Sequence, residues 1–194
     1  MAVDAKQIFI GLPDQSTTGA ILTAAVGTTL PTSAVDTLNV AFKDSGYVTE
    51  DGVNVSPTCN TNKLHDWSGA NVRTMLDSFE GQVSFSLMEL LDEQSAKQVF
   101  GASNVTKTVA NSTHGEQLAI TMGSVLPEEL SWVFKMKDGN AKALIVIPRG
   151  QVSAVDTLAF NRNNSANLPV TLDCLADSTG KSIYIYTDDG VTTA

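Results

Sequence analysis

The sequence predicts a mainly β protein, a β-sandwich or barrel of two packed antiparallel sheets with one short flanking α-helix over about residues 92–100. Three observations carry that expectation. Apolar and polar residues alternate with period 2 through residues 72–91 and again through 130–136. Turn dipeptides, Asp51-Gly52 and Asp138-Gly139 among them, punctuate the alternating runs. Helical spacing with both a cap and a stop is found between Asp92 and Gly101.

Taken in order, residues 1–18 read as an N-terminal arm, polar around the patch Ile8-Phe9-Ile10, and residues 19–190 as a single domain. Residues 19–27 form an apolar run bounded by glycines, a buried strand whose alanines also allow a short helix. Residues 28–34, with Pro31, read as a loop; beyond it Leu38 and Phe42, spaced i,i+4, suit one or two helical turns ended by Gly46. Asp51-Gly52 then lies between Tyr47-Val48 and Val53-Val55, which predicts a two-residue hairpin turn there. Residues 56–62 read as a connecting segment.

The alternation over residues 72–91 puts Met75, Phe79, Val83, Phe85 and Leu87 on one face and Thr74, Ser78, Glu80, Gln82, Ser84 and Ser86 on the other. It is long for one strand, so a bend is expected at Phe79-Glu80-Gly81. Asp92 caps the helix, Ala96, Val99 and Phe100 form its apolar side, and Gly101 stops it. Residues 102–115 read as an exposed loop. Leu118, Ile120 and Met122 alternate as a strand, as do Leu130, Trp132, Phe134 and Met136, and Asp138-Gly139 turns the chain into residues 143–147. That last run is almost wholly apolar, so both its faces are covered, one by the core and the other by a helix or a neighbouring subunit. Residues 155–160, 170–174 and 183–186 supply the closing strands.

At 194 residues the chain suits one domain burying about 70% of its unfolded surface. Hydrophobic residues make up 42% and charged residues 17%, with mean hydropathy +0.02, which excludes a disordered chain and leaves neutral surface for neighbours to bury. The longest near-apolar run, residues 143–148, is far short of the ~20 residues that a membrane helix needs. Met1-Ala2-Val3-Asp4-Ala5-Lys6 lacks the basic start and apolar centre of a secretory signal, so synthesis and assembly in a cytoplasm are expected. A net charge of −9 repels the phosphate backbone.

Residues able to carry chemistry do not converge. Neither His65 nor His114 lies in a nucleophile motif, and His65-Asp66 has no third metal ligand at helical spacing, so both read as loop residues. No glycine-rich loop opens a helix, and the pairs Glu128-Glu129 and Asp188-Asp189 read as solvated turns. Cys59 and Cys174 are too few and too far apart for a disulfide framework or a metal site, and read as unpaired thiols. No catalytic residue, metal or cofactor is expected. Arg73 suits an ion pair with Asp77 or Glu89, or a contact that fixes subunit register. Trp67 and Trp132 read as core or interface anchors.

Gly46-Tyr47-Val48-Thr49-Glu50-Asp51-Gly52-Val53, then Trp67, Val72-Arg73-Thr74 and the strand ending Leu87-Met88-Glu89-Leu90-Leu91, in that order, resemble the major tail tube proteins of long-tailed (siphovirus-type) bacteriophages, particularly of actinobacterial hosts. Residues 142–150 and 168–174 resemble that family's closing strands. The resemblance implies a structural virion protein of the tail, assembled in the host cytoplasm as stacked hexameric rings, with strands joining across the ring around a channel for DNA. Implied partners are further copies of itself, the tape measure, tail terminator and distal tail proteins, and DNA that passes through without specific binding or any membrane. It also implies stacking through the arm, an inter-ring loop at about 28–45 and the C-terminal end. Candidate contacts between subunits are Ile8, Phe9, Leu30, Phe42 and Arg73; candidates for the lumen are Glu80, Gln82, Ser84, Ser86, Glu50 and Asp51. Another ring or tube part, such as a head-tail connector or secretion-system tube protein, or a monomeric binding or adhesion sandwich, are the alternative readings.

Overall fold

Antiparallel pairing dominates the computed structural model, which describes residues 8–15, 18–163 and 165–192. Its elements are β1 (Leu12–Pro13), β2 (Ile21–Ala25), β3 (Lys43–Asp44), β4 (Val48–His65), β5 (Asn71–Leu87), α1 (Glu93–Phe100), β6 (Val105–Thr108), β7 (Gln117–Ile120), β8 (Leu130–Asp138), β9 (Ala141–Val155), β10 (Leu168–Leu175) and β11 (Tyr184–Asp188). The main sheet has the order β3-β2-β8-β9-β10-β5-β4, with β1 added on β8 and β11 on β9, while β6 and β7 form a small second sheet. The expected mainly β architecture with a flanking helix is present.

The main sheet curls over its own core. In the strand order β9 and β10 lie between β8 and β5, yet the Phe85 ring of β5 lies 5.6 Å from Trp132 and 5.5 Å from Phe134 of β8, centre to centre. The layers that face each other across the core therefore belong to one sheet. Its margins approach through the chain between β3 and β4, where Ser45 N donates to Ile21 O and Met88 N donates to Tyr47 O. Inside lie Ile21, Val83, Phe85, Leu87, Trp132, Phe134, Ile147, Leu168 and Leu172, with Ala96, Val99 and Phe100 of α1 packed against them. Helix α1 begins as its sequence predicts: Asp92 Oδ2 accepts from Ser95 N at 2.7 Å, and the Gly101 amide closes the last turn on Lys97 O at 2.9 Å. At 8 residues it is too short to stand alone, so its docked apolar side holds it.

Residues 143–148 are buried on both faces, with Ile145 and Ile147 toward the inner core and Leu144 and Val146 toward a second cluster. The cover on that second face differs from the expectation. It is this chain's own loop, through Leu30, Ala34, Leu38 and Phe42, together with Tyr184 and Tyr186 of β11. No helix forms around Leu38 and Phe42. The Asp36 carboxylate instead accepts from Thr32 N at 2.7 Å and Ser33 N at 2.9 Å, and the Asn39 side chain accepts from Ala41 N at 2.9 Å. Such local side-chain bonds compete with a helical turn, and one i,i+4 pair is too little to nucleate it.

Five further expectations are corrected. Asp51-Gly52 does not reverse the chain: β4 runs on to His65, and between the pairs Val48↔Leu87 and Val53↔Phe85 the extra residues form a bulge, with Gly52 at φ 66°. Residues 56–62 consequently belong to β4. The Phe79-Glu80-Gly81 step does not bend into a turn either; Gly81 is needed for close packing, since a Cβ there would meet Ile183 Cδ1 at 2.9 Å and Cys174 Cβ at 3.3 Å. Residues 105–108, read as loop, pair as β6 with β7, whereas residues 156–160 lie outside any strand.

Candidate assembly surfaces

The hairpin of this region is formed by β4 and β5 around Asp66–Ala70. The Asp66 carboxylate accepts from Ser68 Oγ at 2.7 Å and Ala70 N at 2.9 Å, and these bonds, the serine's foremost, hold it below the usual carboxylate range. β10 pairs with β5 only over residues 81–87, so from Thr58 and Glu80 outward the two strands pair with each other alone. At ~3.3 Å per residue the arm extends about 30 Å past the sheet. A two-stranded ribbon is marginal in water by itself. This one carries Trp67 fully exposed (105%), with Leu64, Val72, Leu76 and Phe79 also exposed.

The sequence alternation is interrupted within the arm. Asn60 opposes Ser78 but Thr61 opposes Leu76, so Asp77 is the extra residue of a bulge. Beyond it Leu76, rather than Met75, shares the face of Phe79. Directly opposed residues share a face. Glu80, Gln82 and Ser84 thus stand beside Thr58, Ser56 and Asn54 of β4, and Gln82, Ser84 and Ser86 beside Asp173, Thr171 and Pro169 of β10. Apart from Pro169 the residues named on this outer face are polar, with Glu80 and Asp173 acidic and no Lys or Arg among them. Glu80 Oε1 accepts from Asn60 Nδ2 at 3.2 Å.

β4 is also the terminal strand of the main sheet, with β5 its one partner in the strand order. Among the described residues no other strand pairs with the outer edge of its 18 residues. Long, open edges are templates for pairing with another chain.

The other candidates fall in different places. Ile8 and Phe9 are exposed, 69% and 38%, beside Ile10, whose amide donates to Asp138 Oδ2 at 3.0 Å; residues 1–7 and 16–17 of the arm lie outside the described residues. Phe42 is only 8% exposed, and it and Leu30 pack on the subunit's own sheet. Arg73 lies on β5 opposite Leu64 near the tip and is exposed, with no ion pair to Asp77 or Glu89; the Glu89 carboxylate accepts instead from Tyr47 N at 3.0 Å. Glu50 and Asp51 are exposed on the β4 bulge. The sequence reading passed over Leu64, Val72 and Leu76, whose signal was the Asp66-to-Gly69 turn standing between two long strands.

Trp132 is buried in the core, whereas Trp67 stands exposed at the arm's tip. Cys59 is exposed on the arm and Cys174 is buried, where desolvation, helped by neighbouring Asp173, pushes its thiol up to about 12. Among the described residues no three His, Cys, Asp or Glu side chains group to hold a metal ion, and no helix is long and apolar enough to cross a membrane.

The fold is mainly β, with a long edge strand and a hairpin arm that carries exposed apolar side chains. The sequence matches the phage tail tube protein family over residues 1–194, and the chain belongs to that family. It is thus a structural component of a phage tail. Comparison with curated proteins gives no match. Among solved structures the chain is similar to the tube-terminating cap of the anti-feeding prophage, seen by cryo-electron microscopy, with 11% identity, a TM-score of 0.42, and coverage of 97% of this chain and 100% of that one.

Proposed function

We propose that copies of this chain assemble into stacked hexameric rings that form the tail tube, the channel through which DNA is ejected into the host. The observation that carries the reading is the open outer edge of β4, continuous with an arm too thin to be stable on its own. Pairing that edge with a strand of the next copy extends the sheet around a ring, and ring closure leaves no edge exposed. The outer face of β4, β5 and β10, with Glu80, Gln82, Ser84, Ser86 and nearby Glu50 and Asp51, then lines the bore, where acidic and neutral groups let DNA slide without sticking. Ile8, Phe9 and the segment at about 28–45 meet neighbouring rings, and the tape measure, tail terminator and distal tail proteins meet the tube in the host cytoplasm.

Hydrogen exchange and electron microscopy on one concentration series test this. Outward amides of β4 exchange rapidly in dilute protein and become protected as tubes appear. Tubes that form while those amides stay unprotected, or protein that stays monomeric at high concentration, would overturn the reading.

A further inference from the structure

We infer that the tip of the β4–β5 arm seats in an apolar groove of the next copy, so that the contact between copies joins two different surfaces. This rests on the self-assembly reading and names the surface that receives the arm. The groove lies between the end of α1, the segment 121–127 and β9, and encloses about 180 Å³. Val99, Phe100, Met122, Leu126, Val152 and Val155 supply its walls, and no charged residue lines it. Met122 and Leu126 are 65% and 57% exposed, an apolar flank on a chain segment outside any strand.

The arm's tip matches the groove in size and in charge. An apolar cavity of about 150 Å³ holds a benzene ring, so this volume with an open mouth admits the indole of Trp67. The exposed Lys63 and Arg73 stand beside Thr74 and Leu64 at the same end of the ribbon and form no ion pair among the described residues, while the carboxylate of Asp66, next to Trp67, is taken up by Ser68 Oγ and Ala70 N within the turn. Beside the groove the chain continues from Pro127 into Glu128, an exposed acid. A large aromatic on a tip that carries two unpaired cations therefore meets an apolar slot with Glu128 beside it, an arrangement that concentrates binding energy in a few anchors and sets orientation. In the subunit the ribbon carries Trp67 away from the sheet and leaves it fully exposed, so the groove it enters belongs to another molecule. Tip-to-groove contact is heterologous, and repetition of such a contact closes a ring or extends a filament.

Disulfide trapping tests the pairing. In a Cys59→Ser background, Ala70→Cys marks the tip beside Trp67 and Gly123→Cys marks the groove mouth, where a new Cβ meets nothing within 4 Å. On mild oxidation, the chain carrying both cysteines is expected to give a ladder of covalent oligomers. The two single variants, mixed, are expected to give heterodimers and nothing longer. Arg73→Glu is expected to raise the concentration needed for assembly about tenfold, and Glu128→Arg in the same chain to bring it back. Assembly of the parent protein with no ladder, or a tip variant that crosslinks to itself, would overturn the groove assignment and leave self-assembly standing. A parent protein that never assembles removes both.

Discussion

Gln82 of β5 donates from Nε2 to Asp173 Oδ1 of β10 at 2.9 Å, tying two neighbouring strands across the polar outer face of the sheet. The bond fixes a carboxylate where, in the proposed tube, DNA passes. Reversing charge on this face tests that placement directly. Tubes of the parent protein are expected not to retain duplex DNA at ~0.15 M salt, whereas tubes carrying Glu80→Lys and Asp173→Lys retain it, with log affinity falling by roughly 0.9 per phosphate contact for each tenfold rise in salt. Filter retention of DNA on preformed tubes measures this. Equal retention by both tubes would place the face outside the bore.

Phe85 and Trp67 separate stability from assembly. Phe85 packs against both Trp132 and Phe134 across the curled sheet, so Phe85→Ala opens a cavity between its two layers and is expected to cost about 3–5 kcal/mol. Trp67 touches solvent on all sides in the subunit, and Trp67→Ala is expected to change subunit stability by no more than about 0.5 kcal/mol while abolishing assembly. Urea midpoints at low concentration and light scattering at high concentration read the two effects independently.

The thiols predict a pH dependence with a definite sign. Burial raises the folded pKa of Cys174 from 9.0 to about 12, so the fold favours the protonated form. The associated stabilisation is fully present below pH 9 and is lost as pH rises toward 12, by up to about 1.4 kcal/mol per unit. Cys174→Ala is expected to flatten that part of the stability curve at an acceptable packing cost. At pH 8, one thiol, that of Cys59, is expected to react with a disulfide reagent in the folded subunit and both after unfolding.

What was legible in the sequence was periodic. Leu130, Trp132, Phe134 and Met136 gave β8, Asp92 and Gly101 bracketed α1, and the unbroken apolar run at 143–148 announced a strand covered on both faces. What failed was punctuation. Asp51-Gly52 carries the same hairpin signal as Asp138-Gly139, which does turn β8 into β9, but the pairing of Val53 onward with β5 outweighs the local turn preference and converts the dipeptide into a bulge. The same mistake hid the arm, since residues 56–62 are polar enough to pass for a loop when no partner strand is in view. The order of residues that resembles the tail tube family survived these errors because it rests on sequence spacing, while Phe42 shows that an apolar residue on a loop can serve the subunit's own core.

Two glycines in this region act for different physical reasons, and substitution separates them. Gly52 takes φ 66° with nothing within 4 Å of a Cβ, so its requirement is backbone conformation alone. Gly52→Ala is expected to cost about 1–2 kcal/mol, the penalty of a left-handed residue, and Gly52→Asn less, because asparagine tolerates that region. Gly81 has no such φ; its requirement is space, since the added methyl meets Ile183 Cδ1 at 2.9 Å. Gly81→Ala is expected to be relieved by Ile183→Val, which removes that methyl, whereas the same change does nothing for Gly52→Ala. A double-mutant cycle on urea midpoints therefore gives a coupling energy of at least about 0.5 kcal/mol for Gly81 with Ile183 and none for Gly52 with Ile183. Coupling at both glycines would mean that the β4 bulge packs against β11's approach in a way the register excludes.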